Sequence, residues 1–178
     1  MKRAVIVALM LVMMMGLGTG SASAANSLKA GTIGLNFDVN NDFMLSGKYF
    51  FTNDIAMLAG FGLGAKGGDG SGTDVAILGG VRKYLKVDDF APFVGGLFEY
   101  RSTLDSTQKD LSLMAVAGAE YFLGKQFSIE GSIGFGYSQN ETETTTTTGG
   151  PFPTVTKTTY KETNIGTQRA GLSANFYF

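Results

Sequence analysis

Apolar side chains alternate with small or polar side chains along eight segments of the chain, each about nine to twelve residues long. The clearest segment is residues 127–138, where Phe, Ile, Gly, Ile, Phe and Tyr occupy the odd positions and Ser, Glu and Gly the even ones. Successive side chains of a β-strand point to opposite faces of the sheet, so each segment has one apolar and one polar face. No segment keeps the period of an amphipathic helix. The alternation therefore predicts an all-β protein with eight strands.

The connections between the predicted strands alternate in length. Compact turns follow the second, fourth and sixth segments, at residues 52–54, 86–90 and 123–126, whereas longer polar loops follow the third, fifth and seventh. Transmembrane β-barrels have short turns at one end and long loops at the other, and their strands place apolar side chains against lipid. The connections therefore favour a membrane barrel whose strands run up and down.

A sheet in hydrocarbon cannot leave the amide groups of its edge strands unpaired, so the predicted strands must close into a ring. Eight strands enclose an interior that side chains just fill. We expect a closed eight-stranded antiparallel up-and-down transmembrane β-barrel, although the side-chain phase of its fourth strand is ambiguous. The predicted strands are residues 31–39, 43–51, 55–65, 75–85, 91–101, 110–122, 127–138 and 170–178.

The first residues have the layout of a cleavable secretory signal. Lys2 and Arg3 precede an apolar run over residues 4–17, and the small residues after it end near Ala24. A run of about 14 residues is too short to span a bilayer comfortably as a helix. The sequence therefore predicts an exported protein with two parts, a signal peptide at residues 1–24 and a barrel domain at residues 25–178.

The composition excludes much of the usual chemistry of sites. The chain has neither Cys nor His, so it lacks disulfides, thiolate ligands and the side chain that most often transfers protons near neutral pH. Residues 62–67 spell a dinucleotide-like Gly-Leu-Gly-Ala-Lys-Gly, but no helix pattern follows them. The formal net charge is −1, and no basic stretch suits nucleic acid. We expect no enzyme, no cofactor, no metal site and no binding to nucleic acid.

Seven charged residues fall on the predicted inner faces of the strands. Unpaired charges in a narrow lumen would cost several kcal/mol each, and the two signs are nearly balanced. We therefore predict a charge network that fills the lumen. The alternative is that several of these side chains lie near the rims and are solvated. The residues are Lys48, Arg82, Glu99, Arg101, Glu120, Glu130 and Arg169.

Aromatic residues cluster at one end of the even-numbered strands. Each of four stretches contains Phe or Tyr at the level where the same membrane rim would lie. Aromatic rings prefer that level because they combine an apolar body with a polar or polarisable edge, so the clusters are typical of an aromatic girdle. The stretches are residues 48–51, 82–85, 120–123 and 175–178.

Two Thr-rich stretches flank a Gly-Pro turn at residues 149–153. Thr favours extended backbone, so the seventh and eighth strands are predicted to continue beyond the membrane as a protruding hairpin that carries Phe152, Val155 and Tyr160. The open strand edges would suit an extended partner segment, and Phe152 would suit an apolar surface. The alternative is a disordered, solvated loop.

The whole chain after residue 24 resembles the small outer-membrane β-barrel family that includes the transmembrane domain of outer membrane protein A, outer membrane protein X and the Ail-type adhesins. The resemblance rests on the eight alternating segments, on residues 79–85 and 92–96, and on Phe178. It implies location in the outer membrane, contact with its lipid and lipopolysaccharide, and insertion by the barrel assembly machinery. That machinery reads the C-terminal strand, which here ends in Phe176, Tyr177 and Phe178.

The resemblance does not imply a single activity, because relatives serve as adhesins, as envelope-stability proteins or in unassigned roles. We rank a structural or surface-interaction, adhesin-like role first, with the long loops contacting an extracellular protein or surface ligand. One alternative is a narrow, porin-like channel for small solutes. Another is a lipocalin-like periplasmic barrel, which would point its apolar side chains inward and its charges outward. The direction of the two faces therefore separates the membrane barrel from the lipocalin.

Overall fold

The computed structural model describes residues 28–38, 43–66, 72–104, 108–149 and 154–178. The signal peptide predicted at residues 1–24 and Phe152 in the predicted hairpin turn lie outside these ranges. Extended backbone dominates the described residues, and no helix occurs among them.

Eight β-strands follow one another along the chain, joined by turns and loops. Within the described ranges we find no helical segment with the length and apolar character needed to cross a bilayer. The strands are β1 (Ile33–Asp38), β2 (Phe43–Phe50), β3 (Ile55–Lys66), β4 (Gly72–Tyr84), β5 (Phe90–Thr103), β6 (Lys109–Phe122), β7 (Phe127–Thr148) and β8 (Thr154–Tyr177).

Every strand pairs with its sequence neighbours in antiparallel orientation, and β1 also pairs with β8 to close the ring. The closing register runs from Asp38 opposite Ser173 to Gly34 opposite Tyr177. The sheet is a closed barrel, which confirms the all-β, eight-stranded, up-and-down part of the prediction. We call the end with the short turns after β2, β4 and β6 the lower end, and the end where β7 leads to β8 the upper end.

The last two strands are much longer than alternation alone predicts, at 22 residues for β7 and 24 for β8. They pair with each other up to Thr148 and Thr154, whereas β6 pairs with β7 only up to Glu141. Seven residue pairs, of which Thr142 with Tyr160 is the lowest, therefore extend above β6 as a two-stranded hairpin. The structure has the paired hairpin and not the disordered loop.

The strands point their large apolar side chains outward and most of their charged side chains inward. On β7, Ile133 and Phe135 are 54% and 59% exposed, whereas Glu130 is 1% exposed. The same division on β4 resolves the phase that the sequence left ambiguous, because Asp74 and Arg82 are buried inside the barrel. On β1, β2, β5 and β6 as well, the apolar side chains of the alternating segments face outward.

One irregularity in β8 changes its facing part-way along the strand. Gly134 pairs with Arg169 but Phe135 pairs with Thr167, so Gln168 is an extra residue in β8. A single extra residue reverses the phase of a strand whose side-chain period is two. Residues of β8 with odd numbers therefore face inward below the bulge, and those with even numbers, such as Asn164 opposite Ser138, face inward above it.

Apolar side chains fill the interior in two clusters. The lower one closes the end with the short turns, and the upper one lies nearer the middle of the barrel. Between them these clusters contain most of the buried apolar side chains of the described residues. The lower cluster is Leu28, Phe50, Ala56, Tyr84, Ala91, Phe93, Phe122 and Tyr177; the upper is Met44, Leu58, Ala76, Leu78, Leu97, Met114 and Val116.

Four rings of the lower cluster come from the stretches that the sequence assigned to an aromatic girdle. Phe50, Tyr84, Phe122 and Tyr177 are buried inside the barrel, so the girdle prediction is wrong for these rings. The physical reason is the pleat of the strand, which turns consecutive aromatic residues to opposite faces. In each stretch only the alternate residue, such as Tyr121, remains on the outer surface.

Candidate functional site

Five aromatic rings close the lower end of the lumen, and we call them the plug: Phe50, Tyr84, Phe93, Phe122 and Tyr177. The ring centroid of Tyr84 lies 5.4 Å from that of Phe50 and 5.6 Å from that of Phe93. Phe122 stacks on Tyr177 at 5.6 Å. Aromatic pairs at such distances stabilise each other beyond the burial of their area. Because each ring is at most 2% exposed, the plug separates the lumen from solvent at this end.

Glycine at position 34 makes room for one ring of the plug. A Cβ atom on residue 34 would lie 2.6 Å from Cε1 and 2.7 Å from Cδ1 of Tyr177. Carbon atoms in contact are normally about 3.5–4.0 Å apart, so such an atom would displace the ring. The close approach of β1 to Tyr177 therefore requires a residue without a side chain.

Four charged side chains lie just above the plug, and we call them the quartet: Lys48, Arg82, Glu120 and Glu130. Lys48 Nζ is 3.1 Å from Glu120 Oε2 and 3.2 Å from Glu130 Oε2. Arg82 Nη1 is 2.6 Å from Glu130 Oε2, and all four side chains are at most 5% exposed. The quartet is neutral as a group and each ion has an opposite partner. Buried ions are tolerated under that condition.

Hydroxyl groups connect the quartet to the plug. Lys48 Nζ donates hydrogen bonds to the hydroxyl oxygens of Tyr84 at 3.1 Å and Tyr177 at 2.9 Å. Tyr84 in turn donates to Glu120 Oε2 at 2.8 Å, while Tyr177 and Ser128 donate to Glu120 Oε1. Both oxygens of this carboxylate are therefore hydrogen-bonded, and the aromatic and charged layers form one connected structure.

A second group of charges lies higher in the lumen, and we call it the upper group: Asp38, Glu99, Arg101 and Arg169. Arg101 Nη2 is 3.0 Å from Glu99 Oε1, and Arg169 Nη1 is 3.3 Å from Glu99 Oε2. Arg169 also contacts the carboxylate of Asp38, which sequence reasoning did not select. The polar face of β1 was the signal that could have identified Asp38. The seven residues predicted as one network thus lie in two separate groups.

The upper apolar cluster lies between these two groups. On β4 the inward residues run from Tyr84 in the plug through Arg82 in the quartet to Leu78 in the upper apolar cluster. On β5, Leu97 of that cluster is followed two residues higher by Glu99 of the upper group. Above the quartet, the lumen is thus apolar on the side of β4 and β5, whereas Asn36, Ser46 and Asn175 lie there on the side of β1, β2 and β8, with Asn175 Nδ2 3.5 Å from Glu130 Oε2. The charges of the quartet hold one another in place and are not presented to solvent.

A polar cavity of about 500 Å³ lies above the upper group at the upper end, and we call it the vestibule. Its volume is in the range of small-molecule sites, but its lining is polar where such sites are mostly apolar. Amide and hydroxyl groups share the lining with the charges of the upper group. The side chains that define it include Glu99, Arg101, Ser112, Ser138, Asn140 and Asn164.

The inner face of the hairpin continues the wall of the vestibule. Asn140 and Asn164 line the cavity, and the residues two and four positions further along each strand share their face. Thr142 and Tyr160 lie opposite each other on this face, above Asn140. The Tyr160 side chain is 63% exposed. A single exposed aromatic ring therefore stands directly above a polar cavity.

The outer face of the hairpin is charged. Lys161 Nζ is 3.4 Å from Glu141 Oε2, and Val155 is exposed higher on the same face. Of the three residues that the sequence assigned to the hairpin, Val155 and Tyr160 thus lie on opposite faces. Phe152 lies outside the described residues. The hairpin presents two chemically different surfaces and not one.

The three residues predicted as an assembly signal are divided between the two faces of β8. Tyr177 belongs to the plug, and Phe176 and Phe178 lie on the outer surface. The rings of Phe176 and Phe178 meet edge to face at 5.0 Å. Of the three predicted residues, only Phe176 and Phe178 are therefore available to a surface that contacts the barrel from outside.

Exposed ion pairs occupy the lower turns. A hydrogen bond from Lys83 lowers the pKa of Asp54 below its usual 3.8, and Thr52 adds a second hydrogen bond. In the turn after β4, a hydrogen bond from Lys86 similarly lowers the pKa of Asp88. These pairs are exposed and contribute little to stability at neutral pH.

No protein-family model matches this chain, and a search of curated proteins finds no similar sequence. The resemblance to small outer-membrane barrels therefore rests on the residues quoted for it. The features of the molecule that bear on its function are the two faces of the barrel, its filled lumen and the vestibule with its hairpin.

Proposed function

We propose that this protein is an integral outer-membrane β-barrel with a structural or surface-interaction, adhesin-like role, in which the filled lumen gives rigidity and the upper end meets the exterior. The observation that carries the proposal is the belt of large apolar side chains around the outside of a closed barrel. These residues come from all parts of the ring and include Ile33, Met57, Phe61, Leu63, Ile77, Val81, Phe98, Leu113, Ile133, Phe135 and Leu172.

An apolar belt of this kind is unfavourable in water. Soluble monomers rarely expose contiguous apolar patches larger than a few hundred Å², because burial of apolar area stabilises by about 25 cal/mol per Å². Acyl chains around the barrel would remove that area from water. The inward charges of the quartet fit the same arrangement, because they lie where lipid does not reach. A lipocalin-like barrel would need the opposite facing.

The filled lumen supports a structural role over conduction. Side chains of the plug and the quartet occupy the lower half, and each of them is nearly completely buried. An ion would have to displace paired charges and aromatic rings to pass. Steady conductance of the refolded protein in a planar bilayer would favour the narrow channel instead.

The hairpin supports a surface role. Seven residue pairs extend above β6, and both outer edges of this part lack a strand partner among the residues that the structure describes. Strand edges and exposed side chains provide contact area to an external partner. In the proposed orientation this hairpin and the vestibule face away from the cell, and the short turns face the periplasm.

Single cysteines test the location and the orientation together, because the natural chain contains none. Val155→Cys on the hairpin should react with a membrane-impermeant maleimide on intact cells. Lys125→Cys in the lower turn after β6 is the matched control, and it should react only after lysis. Both proteins should remain in the membrane pellet after carbonate washing. Release of the protein into the wash, or labelling of Lys125→Cys on intact cells, would contradict the proposal.

A further inference from the structure

We infer that the vestibule and the inner face of the hairpin form a binding site for a neutral oligosaccharide. The inference rests on the proposed function, since the site must face the exterior to meet such a ligand. It assigns a ligand class to a cavity that the structural role leaves without one.

The lining of the vestibule selects for ligands rich in hydroxyl groups. Ser138, Asn140 and Asn164 present hydroxyl and amide groups that both donate and accept hydrogen bonds. An apolar ligand would remove these groups from water without replacing their hydrogen bonds, which is unfavourable. A sugar returns hydrogen bonds of both kinds at close spacing. The volume of about 500 Å³ lies within the range in which small-molecule sites hold their ligands.

The charges at the base of the vestibule disfavour an ionic ligand. Arg101 is paired with Glu99, and Arg169 contacts both Glu99 and Asp38. An anion would have to compete with these carboxylates for the guanidinium groups. A cation would likewise have to compete with Arg101 and Arg169 for Glu99 and Asp38, and Asp110, which also lines the vestibule, lies directly opposite Arg101. A neutral ligand can bind the paired groups through their remaining hydrogen-bonding positions without breaking an ion pair.

The hairpin adds an aromatic platform to the polar cavity. Tyr160 lies on the same face as Asn164, and Thr142 opposite it lies two residues above Asn140, or about 7 Å along the strand. The face of an aromatic ring carries negative charge density, which attracts the polarised C–H groups of a sugar ring. A chain of sugars that starts in the vestibule would therefore reach Tyr160 with its next unit.

Glu162 lies on the inner face opposite Asn140 and accepts a hydrogen bond from Asn164 Nδ2 at 3.4 Å. From Tyr160 upward the inner face of the hairpin is uncharged, which matches a neutral ligand. Thr144, Thr146, Thr156 and Thr158 continue it beyond Tyr160, in directly opposed pairs. At the level of Tyr160 and above, the charged side chains Glu143 and Lys157 lie on the outer face. Because the two faces differ, a ligand of this class is expected on one of them only, and the other serves as an internal control.

A tryptophan placed on each face tests the inference, because the natural chain has none. Tyr160→Trp places the single tryptophan on the inner face, and Val155→Trp places it on the outer face, so excitation at about 295 nm selects it over the tyrosines. Both variants are refolded into lipid vesicles and titrated with neutral oligosaccharides of glucose, galactose, mannose and N-acetylglucosamine. We expect saturable changes in the emission of Tyr160→Trp with at least one of these sugars, and no change with Val155→Trp.

A second substitution connects the fluorescence response to the vestibule. Asn164→Ala in the Tyr160→Trp background removes a hydrogen-bonding side chain from the cavity and leaves the fluorophore in place. It should weaken binding about tenfold, as expected for the loss of one or two hydrogen bonds. An unchanged affinity would overturn the inference, because the response would then arise on the hairpin alone.

The remaining outcomes separate this inference from the proposed function. No response to any neutral sugar, in variants that still fractionate with membranes, overturns the inference alone; a protein that washes off the membrane removes the basis of both. Tighter binding of a sulfated oligosaccharide would also contradict a neutral ligand. Two further titrations compare polysaccharide released from the envelope of the producing cell with foreign neutral glycans. The comparison shows whether the ligand belongs to the same cell or to another surface. Binding of either supports the inference.

Discussion

Replacing Glu130 by Gln tests whether the quartet stabilises the barrel. The substitution keeps the shape of the side chain but removes the charge that Arg82 contacts at 2.6 Å and Lys48 at 3.2 Å. Glu120 is then the only carboxylate of the quartet left to balance two cations. Removing one partner of a buried ion pair costs about 3–5 kcal/mol, because the other charge stays buried without compensation. We expect Glu130→Gln to lower the free energy of unfolding by that amount.

Two further variants separate the loss of charge pairing from nonspecific destabilisation by the substitution. Glu141→Gln makes the same change on the same strand, but in an exposed pair with Lys161, and should cost at most about 1 kcal/mol. Combining Glu130→Gln with Arg82→Met removes one charge of each sign and leaves the pair between Lys48 and Glu120 in place. The combined loss should be smaller than the sum of the two single losses, because the two side chains interact directly.

The measurement is urea unfolding of protein refolded into lipid vesicles. Loss of sheet is followed by circular dichroism and by the gel mobility shift between folded and heat-unfolded protein. The reasoning is refuted if Glu130→Gln unfolds within about 0.5 kcal/mol of the natural protein, which is the range of ordinary surface substitutions. It is also refuted if Glu130→Gln and Glu141→Gln lose the same free energy.

Three other perturbations have defined outcomes. Tyr177→Phe removes a buried hydroxyl that accepts a hydrogen bond from Lys48 at 2.9 Å, so urea unfolding should show a loss of about 1–3 kcal/mol. Gly34→Ala should lower the thermal unfolding temperature and alter the near-ultraviolet circular dichroism of the plug, because its Cβ atom would displace the Tyr177 ring; unchanged spectra would contradict that packing. Asp54 has a lowered pKa in the folded protein, so its contribution is present above the usual 3.8 and lost as pH falls through the folded value. Thermal scans should show a small difference between the natural protein and Asp54→Asn at pH 7 that disappears in strong acid, and a difference that persists there would exclude the pairing with Lys83.

The fold was largely predictable because alternation is a local property. Residues 127–138 show a clear period of two, and the structure has Phe127 at the start of β7 and Ile133 on its outer face. Where both faces of a strand meet water, the pattern carries no such contrast. The Thr-rich part of β7 therefore left hairpin and loop as open alternatives, and continued pairing with β8 decided between them.

The candidate site was predictable in its members more than in its arrangement. The alternation placed Lys48, Glu120 and Glu130 on inward faces, and the structure has all three there. It did not reveal that Tyr84 and Tyr177 share those faces and bind the same ions, because their rings were assigned to the membrane rim. The period of two along β4 and β8, which puts every second side chain on the same face, contained that information. No single strand shows that the charges divide into two groups.

The sequence by itself determined the number of strands and, for most of them, which side chains share a face, because both follow from the order of residues along a single strand. Only the tertiary structure decided which face points into the barrel, the phase of β4 and which charge meets which. Lys48 and Glu130 are 82 positions apart in the chain and come together only when the ring closes with a particular register. That register depends on all eight strands at once, and the extra residue at Gln168 shifts it in a way that no local pattern encodes.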